Sequence, residues 1–513
     1  MQNLKFQNGN VKEFTGGIKI IPILFIWLIV FVIGLTFLIY NDDELNPVKE
    51  NYLLPWILAT GVLLTIPSII LWYQGKFKFY NPLIFATWSY FFPAFVLGGI
   101  ILSNGWSSPF FLSFIQDPKN DLPFTMLIVI LGYAGLAIGY FLPVGNRLGK
   151  MIGDVLPIWN WNPEKLRLAG FILLVIGLFN TVLGYFSGVL GYQKLTEIGA
   201  FDGIIFLMTL IWLEASFLLW LLLFKRNILD LSAVFTASVL LITSLAKALY
   251  AGNRGSLLTI FIMVMLAFLM SGRRVGVKQA TIGGVILVLC IILGMIYGTT
   301  FRNIKESEAQ VGFEQYTENI FQTFETVSET DNLKTLELGF LSLAERLDAV
   351  SSLAVVVSNY EQLAPYEEGY GLDNNIWKDT VTFFIPRVIW QDKPLASEPR
   401  KYSELYFNYG ENSFTITPMG DLLRNYGVYG VFFGMVILGM ILRFLFASLV
   451  ENREFSFWRT VLYFMLLTAI SYESFYGSII PYITKVGFIS IVGILIVHLI
   501  INRILKTNEQ HQR

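Results

Sequence analysis

Cations set among apolar neighbours are the first chemistry this sequence offers. Arg387 and Lys393 stand in the run Phe383 to Pro394 (FFIPRVIWQDKP), Arg346 follows Glu345 in Leu338 to Asn359, and Arg424 lies in MGDLLRNYGVYG. Arginine meets a phosphate with a planar fork of donors, and lysine meets it as a point charge. A cation held at an apolar surface near the outer headgroups suits a lipid-linked phosphate. The alternative for each is snorkelling or local pairing, for example of Arg346 with Glu345 or Asp348. Arg254 belongs to the same set. Gly252, Asn253 and Gly255 make a tight turn around it, and a helix starts there whose N–H groups favour an anion. An interfacial anchor is the other possibility for Arg254.

The matching carboxylates are fewer. Asp421 precedes Arg424 by three positions, which puts both on one face if a helix has begun. It is the first candidate for a general base beside a phosphate-binding arginine, against the alternative of a local ion pair at a helix N-terminus. Glu473, in SYESFYGSIIPY, is the second candidate. Glu214 lies inside an apolar run (MTLIWLEASFLLW), as a proton relay or as a hydrogen-bonding partner of a nearby group. The chain has one cysteine, Cys290, and two histidines, His498 and His511. Neither a disulfide framework nor a metal centre can be built from these, and His498 is expected to pack. No P-loop and no Asp-x-Asp for a metal-bound nucleotide sugar is present, so neither metal nor cofactor is expected.

The elements that must carry these groups follow from composition. Of 513 residues, 55% are hydrophobic and 14% charged, with a mean hydropathy of +0.61 and a net charge of −1. Soluble domains carry about a quarter charged residues. A nucleic-acid binder and an ordinary soluble enzyme are excluded, and the chain reads as an all-α polytopic membrane protein. Twelve apolar runs suit spans: 18–40, 53–73, 83–102, 124–142, 168–190, 204–224, 231–249, 256–270, 281–300, 425–446, 458–475 and 484–502. The first is too long for a signal peptide and is followed by Asn41-Asp42-Asp43-Glu44 rather than a cleavage site. The Lys/Arg bias of the short connections places both termini in the cytoplasm. Residues 1–300 then form the first nine spans, 301–424 one large extracytoplasmic segment, and 425–513 the last three. The insertion is too apolar for disorder. Leu338 to Asn359 is expected as an amphipathic helix lying against the membrane domain, Thr380 to Trp390 as an apolar piece broken by Pro386, and 303–337 as partly helical and solvated.

With these residues assembled, the chain resembles the Wzy-type oligosaccharide repeat-unit polymerases of O-antigen and capsule synthesis. Four segments carry the resemblance: Gly252-Asn253-Arg254-Gly255, Glu345-Arg346-Leu347-Asp348, Phe383 to Pro394, and MGDLLRNYGVYG. Twelve spans with a late outer loop agree with that family. The resemblance implies a metal-independent glycosyltransferase of GT-C-like layout in the bacterial plasma membrane. It would move a glycan from undecaprenyl pyrophosphate onto a lipid-linked repeat unit at the outer face. A chain-length regulator and a flippase are the partners it implies, beside the bilayer itself. Arg254, Arg346, Arg387, Lys393 and Arg424 would hold pyrophosphate, with Asp421 or Glu473 as base. An O-antigen ligase is expected to use a loop histidine, which this loop lacks. A lipid-linked oligosaccharide flippase is a third possibility, poorly served by so large an outer insertion.

Overall fold

The computed structural model describes residues 50–511 apart from 108, 160, 192–198, 227–229, 254, 306–312, 330–342, 345, 394–395, 411–412 and 415, with side chains described to Arg503. The expected span at 18–40 lies outside the described residues, as do Arg254 and Glu345. What is described is 79% helix, with no strand.

In chain order the helices are α1 Leu54–Tyr73, α2 Pro82–Ser103, α3 Pro109–Leu112, α4 Pro118–Phe141, α5 Pro143–Val155, α6 Pro163–Phe186, α7 Asp202–Arg226, α8 Leu231–Ala251 and α9 Ser256–Met270. They continue as α10 Val277–Ile304, α11 Phe313–Glu329, α12 Ala349–Glu367, α13 Asn375–Thr382, α14 Pro399–Phe407, α15 Pro418–Leu449, α16 Phe457–Ala469 and α17 Tyr476–His511. Nine helices among the described residues are long and apolar enough to cross a bilayer. Each expected run from 53–73 onward coincides with a helix. Two of these, α9 with 15 residues and α16 with 13, are shorter than the roughly 20 residues a crossing needs.

The seam of the bundle is α15 against α4 and α5. Without water, helices associate through close packing, which small residues permit. A Cβ on Gly139 would stand 2.0 Å from the Val436 carbonyl oxygen, and one on Gly439 would stand 2.1 Å from that of Leu136. Gly145, Gly149 and Gly153 continue the seam along α5. The outward faces are apolar: α10 exposes Ile282, Val285, Ile286, Leu289 and Leu293. Stripes of this kind are stable against hydrocarbon, not against water.

The insertion gathers at one end of the bundle. There, α12 packs against the end of α2, the start of α4 and the start of α15. It differs from the amphipathic helix expected over 338–359. It begins at Ala349, and every residue from Ala349 to Val357 is buried. Asp348 is its N-cap, accepting from Ser107 Oγ at 2.6 Å and the Ser351 N–H at 3.0 Å. Room for this entry comes from Gly98 of α2, where a Cβ would lie 2.2 Å from the Leu347 carbonyl oxygen. Within 303–337, α11 packs on α10 through Phe301, Tyr316 and Ile320. The opposite end is closed by other contacts. Arg459 donates to the Gly153 and Leu156 carbonyls, and His498 packs as expected, stacked on Trp159 with ring centroids 4.2 Å apart.

Candidate functional site

The start of α15 carries the two residues predicted to act together. Thr417 caps the helix, its Oγ1 accepting from Gly420 N–H at 3.2 Å, and Pro418 takes the first position. The helix has therefore begun before Asp421, which shares a face with Arg424. The helix breaks at Gly427, whose φ of 66° belongs to the left-handed region open to glycine, and resumes toward Leu449.

Arg424 and Asp421 are enclosed. Asp421 has no exposed surface and the Arg424 side chain has none. Every guanidinium donor is taken. Nε and Nη2 reach Asp421 Oδ1 at 3.1 and 2.9 Å, Nη1 reaches Glu367 Oε2 at 3.1 Å and the Leu372 carbonyl at 3.0 Å, and Nη2 also reaches Asn375 Oδ1 at 2.6 Å. The other oxygen of Asp421 accepts from the Gly477 N–H at 3.1 Å and from Asn375 Nδ2 at 3.3 Å. Gly477 lies in the first turn of α17, where an amide has no intrahelical acceptor. Glu367 is closed from its other side by Tyr406, whose hydroxyl donates at 2.9 Å. Burial raises the Glu367 carboxyl while Arg424 draws it down. The polar atoms of Asp421 and Arg424 are thus engaged within the protein. Asp421 has no lone pair facing an acceptor hydroxyl, and Arg424 has no N–H left for a pyrophosphate. Together they tie α12, α13, α15 and α17 into one knot.

A second cluster adjoins the knot; its carboxylate is buried and its cations are partly exposed. Asp379 of α13 accepts hydrogen bonds from the Ser397 hydroxyl and backbone N–H, and Ser397 in turn accepts from Asn375 Nδ2 at 3.2 Å. Burial pushes the Asp379 carboxyl up to about 6; the Ser397 hydrogen bonds oppose this, the charge of Asp421 adds to it, and Lys485 opposes it. Lys393 feels Lys485, Arg387 and Asp379, and burial lowers its ammonium, with the two cations lowering it further. Lys393 and Lys485 each lie within electrostatic reach of Arg387 and of Asp379. Lys393 is held by the carbonyls of Thr382 and Ile385 at 2.8 and 3.0 Å. Arg387 has only a long contact, 3.4 Å, to the Gln391 carbonyl.

The remaining predicted residues separate from these clusters. Arg346 does not pair with Asp348; it meets Glu473 at 3.4 Å in an exposed ion pair that joins the insertion to the start of α17. Arg254 lies outside the described residues, although the turn before it is as expected, with Gly252 at φ 62°. Glu214 is buried on α7 facing Ser490 and Gly493 of α17, apart from both clusters. Among the described residues no group of three His, Cys, Asp or Glu side chains could hold a metal ion.

Asp379 and Lys485 escaped the sequence reading. The apolar piece expected from the sequence begins at Thr380, one residue past Asp379. The available signal was a lone carboxylate entering an apolar stretch between Trp377 and Phe383.

No curated protein and no solved structure matches the chain. A family described as Domain of unknown function (DUF8712) matches residues 173–506, a stretch that contains both clusters in full. That stretch is well over half of the 513 residues, and the chain belongs to the DUF8712 family.

Proposed function

We propose that the protein is a polysaccharide polymerase of the bacterial plasma membrane, with twelve spans in a GT-C-like layout and its insertion on the outer face. It transfers a glycan from undecaprenyl pyrophosphate to the terminal sugar of a lipid-linked repeat unit. The observation that carries this reading is the second cluster, in which Lys393 and Lys485 lie within electrostatic reach of Asp379 and Arg387 at the end of the bundle where the insertion packs.

The chemistry balances with these groups alone. The acceptor hydroxyl loses its proton to Asp379, and its oxygen forms a bond to the anomeric carbon of the donor. The bond from that carbon to the pyrophosphate oxygen breaks, and the electron pair leaves with the lipid pyrophosphate. Arg387, Lys393 and Lys485 neutralise the charge that develops there, the electrostatic role that usually contributes most to such a step. A carboxyl raised to about 6 is matched to a proton-transfer role near neutral pH.

The test is reconstitution with a lipid pyrophosphate-linked repeat unit and sizing of the products on a gel. A ladder of lengths supports polymerase. Repeat units left unjoined refute it. In cells lacking the protein, finished polymer stranded on its lipid carrier identifies a ligase instead.

A further inference from the structure

The segment from Trp377 to Trp390 turns its apolar side chains outward. Trp377, Val381, Phe384, Val388, Ile389 and Trp390 are all exposed, with Phe384 at 71% and Ile389 at 77%. In contrast, Tyr402, Tyr406 and Phe407 of α14 are buried, as is the first half of α12. An apolar surface of this size marks a site of contact. Three observations say what covers it. First, the segment continues a membrane-facing surface. The inner side of α13 packs on α17 at Gly477, where a Cβ would lie 2.8 Å from Ile376 Cα, and α17 exposes Phe488, Ile491, Leu495 and Leu499 along the stripe below. Second, the cations Lys378, Arg387, Lys393 and Lys485 accompany the apolar groups, and tryptophans stand at both ends of the segment. This is the composition of a headgroup-level element, which buries aromatics at the acyl boundary and keeps cations among the phosphates. Third, the backbone is stitched internally. Ile385 N–H donates to Thr382, Ile389 and Trp390 N–H to Pro386, and the Lys393 ammonium covers two further carbonyls. A segment entering a layer poor in water requires such satisfaction.

We propose that Trp377–Trp390 is immersed in the headgroup layer of the bilayer, its aromatic side chains reaching the acyl boundary and its cations among anionic phospholipid phosphates. The inference does not depend on the transferase reading. It sets the depth of Arg387 at the phosphate level.

The test uses the full chain with its single cysteine replaced (Cys290→Ser) and Phe384→Cys labelled with bimane. The protein is reconstituted in vesicles of phosphatidylethanolamine and phosphatidylglycerol. Nitroxide lipids labelled near the headgroup report immersion, and iodide reports water. The expected result is nitroxide quenching several-fold stronger, and iodide quenching several-fold weaker, than at Glu361→Cys on the exposed part of α12. Iodide access equal to that control places the segment in water. Quenching by neither places it under protein. Either result overturns the proposal, and Ile389→Cys repeats the test should Phe384→Cys not reconstitute.

Discussion

Two groups of charges adjoin each other in this protein, and they differ in what is left over. In the knot, one arginine meets two carboxylates, an amide and a carbonyl, and no donor remains. In the second cluster, Lys393 and Lys485 lie within electrostatic reach of Asp379 and Arg387, and Arg387 and Lys393 stand on a partly exposed turn. Both are made of the residue types expected at a phosphate-binding centre. Saturation distinguishes them: a closed network stabilises an arrangement of helices, whereas excess charge of one sign remains available to a ligand.

Breaking the knot is the largest perturbation. Arg424→Ala leaves two carboxylates buried without a cation, which costs about 3–5 kcal/mol. The expected outcome is loss of monodisperse protein after detergent extraction, with no rescue by Arg424→Lys, since an ammonium cannot make the five bonds. Recovery of normal amounts would show that the knot is not structural. Next, Asp379→Asn is expected to lower polymerisation by about a hundredfold or more, the range for losing a general base, with an unchanged melting temperature. Arg387→Ala is expected to abolish long products while the protein still accumulates. Normal polymer length would remove Arg387 from the site. The dependence on pH is a finer test. The base must be unprotonated, so with its carboxyl at about 6 the rate should fall as pH drops through that value, and residual Asp379→Asn activity should lose this limb. The smallest effect belongs to the exposed pair of Arg346 and Glu473, where substitution of either should change stability by less than about 1 kcal/mol. A large loss of turnover for Glu473→Gln at constant stability would restore it as the base.

The helical membrane class was legible because hydropathy and length determine it, whereas a helix start before Asp421 stayed open in the sequence because the apolar run begins only at 425. The i, i+3 pairing of Asp421 with Arg424 was legible too. Its saturation was not, because Glu367, Leu372, Asn375 and the Gly477 amide arrive from other elements. Lys485 joins Asp379 and Arg387 only when α17 meets α13, a tertiary contact without local signature. The first half of α12 is more fully buried than an amphipathic helix lying against the membrane domain. Asp348 turns inward as a cap, and Arg346 reaches to α17.

The most direct measurement compares Asp379→Asn with the unmodified protein in the same vesicles, recording product length and melting temperature together. Melting at the original temperature with the ladder collapsed to single repeat units is the predicted result. A full ladder from Asp379→Asn, at any melting temperature, would contradict the assignment of chemistry to the second cluster.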